Sequence, residues 1–289
     1  MRWPSFRRFN LPKRRLSQTI VVAAGTYAQG VAGGLMFGLP LLFTMEMWQH
    51  GATIPSPHLL LSIALTFGIL LLFNRTVGTH PDASFRDVVM ESVEELGLGF
   101  IVAATVLHLI GRIHVNMPFA ELAGKVTMEA LVTSIGVSIG TVQFGASANG
   151  ASTNGKREVP ILGQIAVAFC GAIFVAASVA PTEEVLLIAV ESSPVKALRM
   201  LIACLILTAL ILGFTDLRRS RDFRTQCWIP RSIFGPVVTV GVALTTATVL
   251  LWFFRHLDDR SFAVNLRQIV TLAVPGALGA SAGRILFKA

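Results

Sequence analysis

Apolar residues in this chain come in long, nearly uninterrupted blocks, and these restrict the fold more than any other feature. A run of roughly 18 apolar residues with few charges can cross about 30 Å of hydrocarbon as a helix. In lipid only helices and closed barrels satisfy every backbone N–H and C=O. Barrel strands alternate polar and apolar residues, and these blocks do not. Composition agrees, since 53% of residues are hydrophobic, 14% are charged and the mean hydropathy is +0.69. A soluble domain carries about 25% charged residues to cover its surface. The expected fold is an all-α polytopic transmembrane bundle.

The blocks place eight helices, at about 22–48, 58–74, 88–111, 120–142, 161–190, 196–215, 232–254 and 264–285. A basic tail (1–19) precedes the first and reads as cytoplasmic, not as a cleaved signal peptide. A Gly/Ser/Asn-rich linker (146–158) separates two halves, 20–145 and 159–289. Trp48 reads as an interfacial anchor. With eight crossings both termini share a side. That side carries 17 Lys and Arg residues, Arg284 among them, against 7 opposite. The excess predicts cytoplasmic termini. The same pattern accounts for the net charge of +8 without a nucleic-acid partner. The three cysteines show no metal or disulfide spacing.

The halves resemble each other. Ala104-Thr-Val-Leu107 recurs 143 residues later as Ala247-Thr-Val-Leu250. At the same offset Arg112 matches Arg255, Phe119-Ala120 matches Phe262-Ala263, and Gly136, Ser138 and Gly140 match Gly279, Ser281 and Gly283. Gly34-Leu-Met-Phe37 with Pro40, Thr44 and Glu46 loosely parallels Gly171-Ala-Ile-Phe174 with Pro181, Thr182, Glu183 and Glu184. Four helices per half make two parallel repeats, an arrangement in which transporters place sites between the repeats. Duplication of a packing unit alone is the plainer reading.

Ionisable residues in transmembrane segments are costly and usually face a cavity or a partner. Glu46, Glu183 and Glu184 follow Pro40 and Pro181, whose rings remove a backbone donor and are expected to kink or break the helix, freeing carbonyls. Carboxylates beside such carbonyls, with Thr44 and Thr182, suit a cation or a proton; solvation at the headgroup level is the alternative. Glu91, Glu94 and Glu95 could form a cation vestibule or pair with Arg86. Glu129 is expected to pair with Lys125. His108 is a proton-relay candidate or a carbonyl-bonded helix-end histidine. Gly136, Ser138, Gly140, Gly279, Ser281 and Gly283 allow close helix approach. They are expected to pack the halves together; a narrow pore is the alternative. Pro275 is expected to kink the last helix. No metal-ligand spacing, P-loop or nucleophile elbow is present, so neither a cofactor nor an enzyme is expected.

Gly38-Leu-Pro-Leu-Leu-Phe-Thr-Met-Glu-Met-Trp48, Glu94-Glu95-Leu-Gly and Ala180-Pro-Thr-Glu-Glu184 resemble a bacterial family of multi-pass integral membrane proteins of unknown function. The likeness covers nearly the whole chain beyond the tail. It implies an inner-membrane, multi-pass helical protein and no particular activity. Pro181-Thr-Glu-Glu184 is also similar to the Pro-Glu motifs of cation/proton exchangers, although the flanking residues lack their Asn and Ser runs.

The leading functional expectation is a small-ion transporter or channel for a monovalent or divalent cation or for protons. Its path would follow the repeat interface through Glu46, Glu183 and Glu184. The rival is a non-transporting scaffold or accessory subunit, and a lipid-directed enzyme comes third. Partners would be the lipid bilayer and the ion; a homo-oligomer is compatible with either reading.

Overall fold

A computed structural model describes residues 13–78, 84–114, 116–148, 161–217, 231–258 and 260–286. These residues form ten helices and no strand. Helices α1 (Lys13–Leu42), α2 (Met45–Thr53), α3 (Ser56–Thr76), α4 (Phe85–Leu109) and α5 (Phe119–Ala148) make the first half. The second half holds α6 (Ile161–Ala177), α7 (Glu183–Glu191), α8 (Pro194–Leu217), α9 (Arg231–Phe253) and α10 (Phe262–Leu286). Six helices are long and apolar enough to cross a membrane, or seven spans if α1 and α2 count as one bent span. The chain is thus an integral membrane protein with several apolar helices.

Two expected helices are broken. The segment 22–48 divides into α1 and α2, which turn by 84° at residues 43–44. Pro40 sits in the last turn of α1, and Thr44 is the extended N-cap residue of α2. The segment 161–190 divides into α6 and α7, with Pro181 between them and Thr182 as the N-cap residue of α7. A proline stands at or just before each break, its ring removing a backbone donor, and each short helix opens on a threonine in extended conformation. Lys13 to Thr19, assigned above to the tail, already belong to α1, and α5 runs on to Ala148. The rest of the tail (1–12), the remainder of the linker (149–158), the basic stretch 218–230 and Lys288 lie outside the described residues.

Helices α5 and α10 are the axes of the two halves. Each packs against all four other helices of its own half. Buried residues make up 78% of the apolar stretch of α5 and 61% of that of α10, against 22% in α3 and 17% in α8. The glycines determine this arrangement, but not by joining the halves as expected. A Cβ on Gly33 would collide with Gly140 and the Gly136 carbonyl, so these glycines seat α1 on α5. A Cβ on Gly171 would collide with Gly279 and crowd Gly283, which seats α6 on α10. Small residues let two backbones meet, and here they do so within each half. Pro275 lies inside α10 without breaking it, as Pro236 does in α9.

The halves meet along a mixed aromatic and aliphatic seam. Phe37 stacks on Phe174 with ring centroids 4.8 Å apart. Leu70, Phe73, Ile135 and Ile139 share a cluster with Val167 and Cys170. At one end of the seam His50 meets Phe254 edge-on at 4.9 Å, and His58 lies 5.7 Å from Trp252.

Candidate functional site

The acids singled out by the sequence separate on folding. Glu183 and Glu184 open α7 and are exposed, while Glu46, in the first turn of α2, is half-buried. The Glu184 carboxyl is held below the usual range by its own backbone N–H and by Thr182, as for a capped, solvated anion. Several carbonyls at the breaks already accept hydrogen bonds. Thr44 Oγ1 donates to Pro40 O (2.7 Å), Thr44 N to Leu41 O (2.8 Å), and the Trp48 indole Nε1 to Leu42 O (2.9 Å). In the second half Thr182 Oγ1 donates to Val179 O (2.8 Å). Trp48 is no surface anchor: it is 7% exposed, with the Arg112 guanidinium 4.2 Å from its ring centroid.

The buried carboxylates are Glu129 and Glu95. Lys125 pairs with Glu121 at 2.6 Å, not with Glu129 as expected. Glu129 is 0% exposed, and neither of its carboxylate oxygens has a hydrogen-bond partner among the described residues. Its position follows from the register of α5 on the first broken pair. Gly38 of α1 faces Thr133, and Gly51 of α2 faces Gly124. Glu129 lies between those two contacts, level with the break at residues 43–44. An arrangement of the same kind occurs in the second half. Gly171 faces Gly279, and the register from there brings Gln268 to the level of the α6–α7 break. Gln268 is also 0% exposed, and neither of its amide atoms has a partner among the described residues. The neighbouring Arg267 donates through Nη1 to the carbonyl of Ser192, the C-cap residue of α7.

Glu95 lies on the inner face of α4 and is 5% exposed. Asn74 of α3 donates through Nδ2 to Glu95 Oε2 (2.7 Å) and to Ser92 Oγ (3.1 Å), and Ser138 of α5 donates to Asn74 Oδ1 (3.0 Å). Glu94, one residue on, points outward, where Tyr27 Oη donates to its Oε2 at 3.4 Å. The expected three-acid vestibule therefore resolves into one buried and one exposed carboxylate beside Glu91. His108 is exposed near the end of α4. Ser281 donates to Ala277 O within its own helix.

Several polar residues were missed by the sequence reading. Arg284, counted above among the basic residues of one membrane side, lies in the last turn of α10 at 8% exposure. It donates to Thr239 Oγ1 (2.6 Å), Gly235 O (2.9 Å) and Gln164 Oε1 (2.9 Å). His50, His58 and His256 each keep one buried ring nitrogen without a hydrogen-bond partner among the described residues. The signal for Asn74, Gln164 and Gln268 was the same as for the acids, a polar side chain inside an apolar block. No group of three or more His, Cys, Asp or Glu residues that could hold a metal ion occurs among the described residues.

Residues 26–287 match the model of a family described as "Putative integral membrane protein (DUF2391)". No curated protein and no solved structure matches the chain. The match spans both broken helix pairs, both axial helices and both buried acids, and the chain belongs to that family.

Proposed function

We propose that the protein moves protons or a small cation across a bacterial inner membrane, with Glu129 as the group that carries the charge. The observation behind this reading is the complete burial of Glu129, with no hydrogen-bond donor among the described residues, beside a helix break. An isolated ionised carboxylate in a low-dielectric interior is very costly. A bound proton or cation removes that cost, and exchange of the bound ion between the two sides is transport. The break supplies a discontinuity where a short helix can shift without unwinding a full span. The reading includes no catalysis.

The same reading takes the chain as two parallel repeats of four crossing helices plus one short helix. Its supports are the 143-residue sequence offset, the nine-residue α2 and α7, and the threonine N-cap on each. On this count α1, α3, α4, α5, α6, α8, α9 and α10 cross, and both termini are cytoplasmic. The Lys/Arg bias favours that orientation even with Arg284 removed from the loops.

Purified protein in proteoliposomes should dissipate an imposed proton or sodium gradient faster than empty vesicles. Glu129→Gln, which keeps the shape and removes the charge, should lower the rate at least about tenfold, equivalent to about 1.4 kcal/mol on the barrier. Wild-type flux equal to that of empty vesicles, or a Glu129→Gln rate equal to wild type, overturns the proposal. The first of these results favours the non-transporting scaffold.

A further inference from the structure

The second buried carboxylate sits in a different setting. Asn74 uses both N–H groups, toward Glu95 Oε2 and Ser92 Oγ, and its oxygen accepts from Ser138. Ser92 is oriented in turn, because its hydroxyl donates to Val88 O (2.8 Å). The amide therefore cannot flip, and a donor always faces Oε2. The other oxygen, Oε1, is buried without a hydrogen-bond partner among the described residues. Thus Asn74 clamps one oxygen of the carboxylate, while the other has no hydrogen-bond partner among the described residues, although the Ser138 hydroxyl lies near the same group.

We propose that Glu95 is a proton-exchange site, with Asn74 as its positioning residue. In the loaded state the proton is bonded to Oε1 and the group is a neutral acid. On release the O–H bond breaks, the electron pair stays on Oε1, and the negative charge is shared with the oxygen that Asn74 holds. The charge-assisted bond from Asn74 is stronger to the anion than to the acid, so the clamp lowers the cost of release. The proton's route to the surface lies along α4. Glu91 shares the face of Glu95 four residues away, and Glu94 is adjacent. Both interact electrostatically with Glu95. From α6, Cys170 does so too, while Asn74 on α3 and Ser134 and Ser138 on α5 are neutral. On α1, Tyr27 is bonded to Glu94. The proposal deepens the transport reading by naming the proton as the ion, and it rests on that reading for its physiological use. Its test reads protonation, not flux.

The experiment is infrared difference spectroscopy of the full chain in lipid, labelled with carbon-13 glutamate, across a pH titration. The wild type should show a protonated-carboxyl band that bleaches as pH rises. Glu95→Gln should remove one component of that band, and Glu129→Gln should leave this component in place. Asn74→Leu should move the Glu95 midpoint to higher pH by about one unit, because only the anion loses a strong donor. Ser138→Ala, a milder change that releases Asn74 Oδ1, should move it in the same direction if Asn74→Leu does not fold. A titrating spectrum unchanged by Glu95→Gln overturns the proposal. So does a Glu95 component that bleaches on adding sodium at fixed pH but not on changing pH. If the component titrates while wild-type vesicles show no flux, the exchange site stands and the transport reading falls. If flux depends on Glu129 while Glu95→Gln changes no band, the transport reading stands and this one falls.

Discussion

At the scale of single residues, the interior is polar in a few chosen places. Glu95, Asn74, Ser92 and Ser138 form one bonded group, and Arg284, Thr239 and Gln164 form another. The histidine end of the seam adds a titratable group, His256. His256 follows α9 and is half-buried. Burial, then the Arg260 charge, lowers its pKa from 6.5, with Glu183 pulling the other way. The depressed value makes the neutral ring the folded form. Its contribution to stability is complete above 6.5 and is lost as pH falls through the lower folded value. Thermal melting in detergent should therefore drop between about pH 7.5 and about pH 5.5. His256→Gln should flatten that slope; an identical slope in the variant means that other groups carry it. The sequence alone led to the carboxylates but not to their surroundings. Glu95 could be named from its place in an apolar block, whereas its bond to Asn74 joins residues 21 positions apart on two helices. Glu129 was assigned to Lys125 because both sit four apart on one helix, and Glu121 has the same spacing on the other side.

At the scale of helices, the apolar blocks located nearly every span, since mean hydropathy over a window depends only on local composition. Pro40 and Pro181 marked where two helices break, but not how sharply the chain turns there. Between Gly38 and Trp48, and between Ala176 and Val190, the residues stay largely apolar, so no change in polarity marks the 84° turn. Thr44, Trp48 and Thr182 each donate to a carbonyl beside a break, a contact that spacing along one helix does not show. The glycine pattern was visible and its partner was not, because spacing shows which residues share a face and not which helix approaches it. The backbone contact gives a sharp expectation. Gly171→Val should destabilise the protein by about 1–3 kcal/mol by forcing α6 off α10. Gly68→Ala, where a Cβ meets nothing within 4 Å, should stay within about 0.5 kcal/mol of wild type. Thermal shift in detergent separates the two, and equal melting points would contradict the packing described for α6.

At the scale of the whole molecule, the antiparallel contacts order the helix ends. Asn74 meets Ser92 and Glu95, so the end of α3 and the start of α4 lie on one side of the bundle. Arg284 meets Gly235 and Thr239, which brings the end of α10 to the start of α9. With eight crossings, a cysteine at Ser84 should label with an impermeant maleimide only from the cytoplasmic face, and one at Ser261 only from the opposite face. Native Cys170, Cys204 and Cys227 would first be replaced. Labelling of both positions from one face would refute eight crossings.

The place of α5 and α10 also bears on how the chain is made. The helix on which each half is built is the last of that half to leave the ribosome. Until residue 119 and beyond have been inserted, α1, α2 and α3 wait in the bilayer without the surface that most of their buried side chains require, and α6 to α9 wait in the same way for α10. Assembly is thus governed by arrival of the final segment of each half, and a nascent chain truncated just before either one is the form most exposed to membrane proteases.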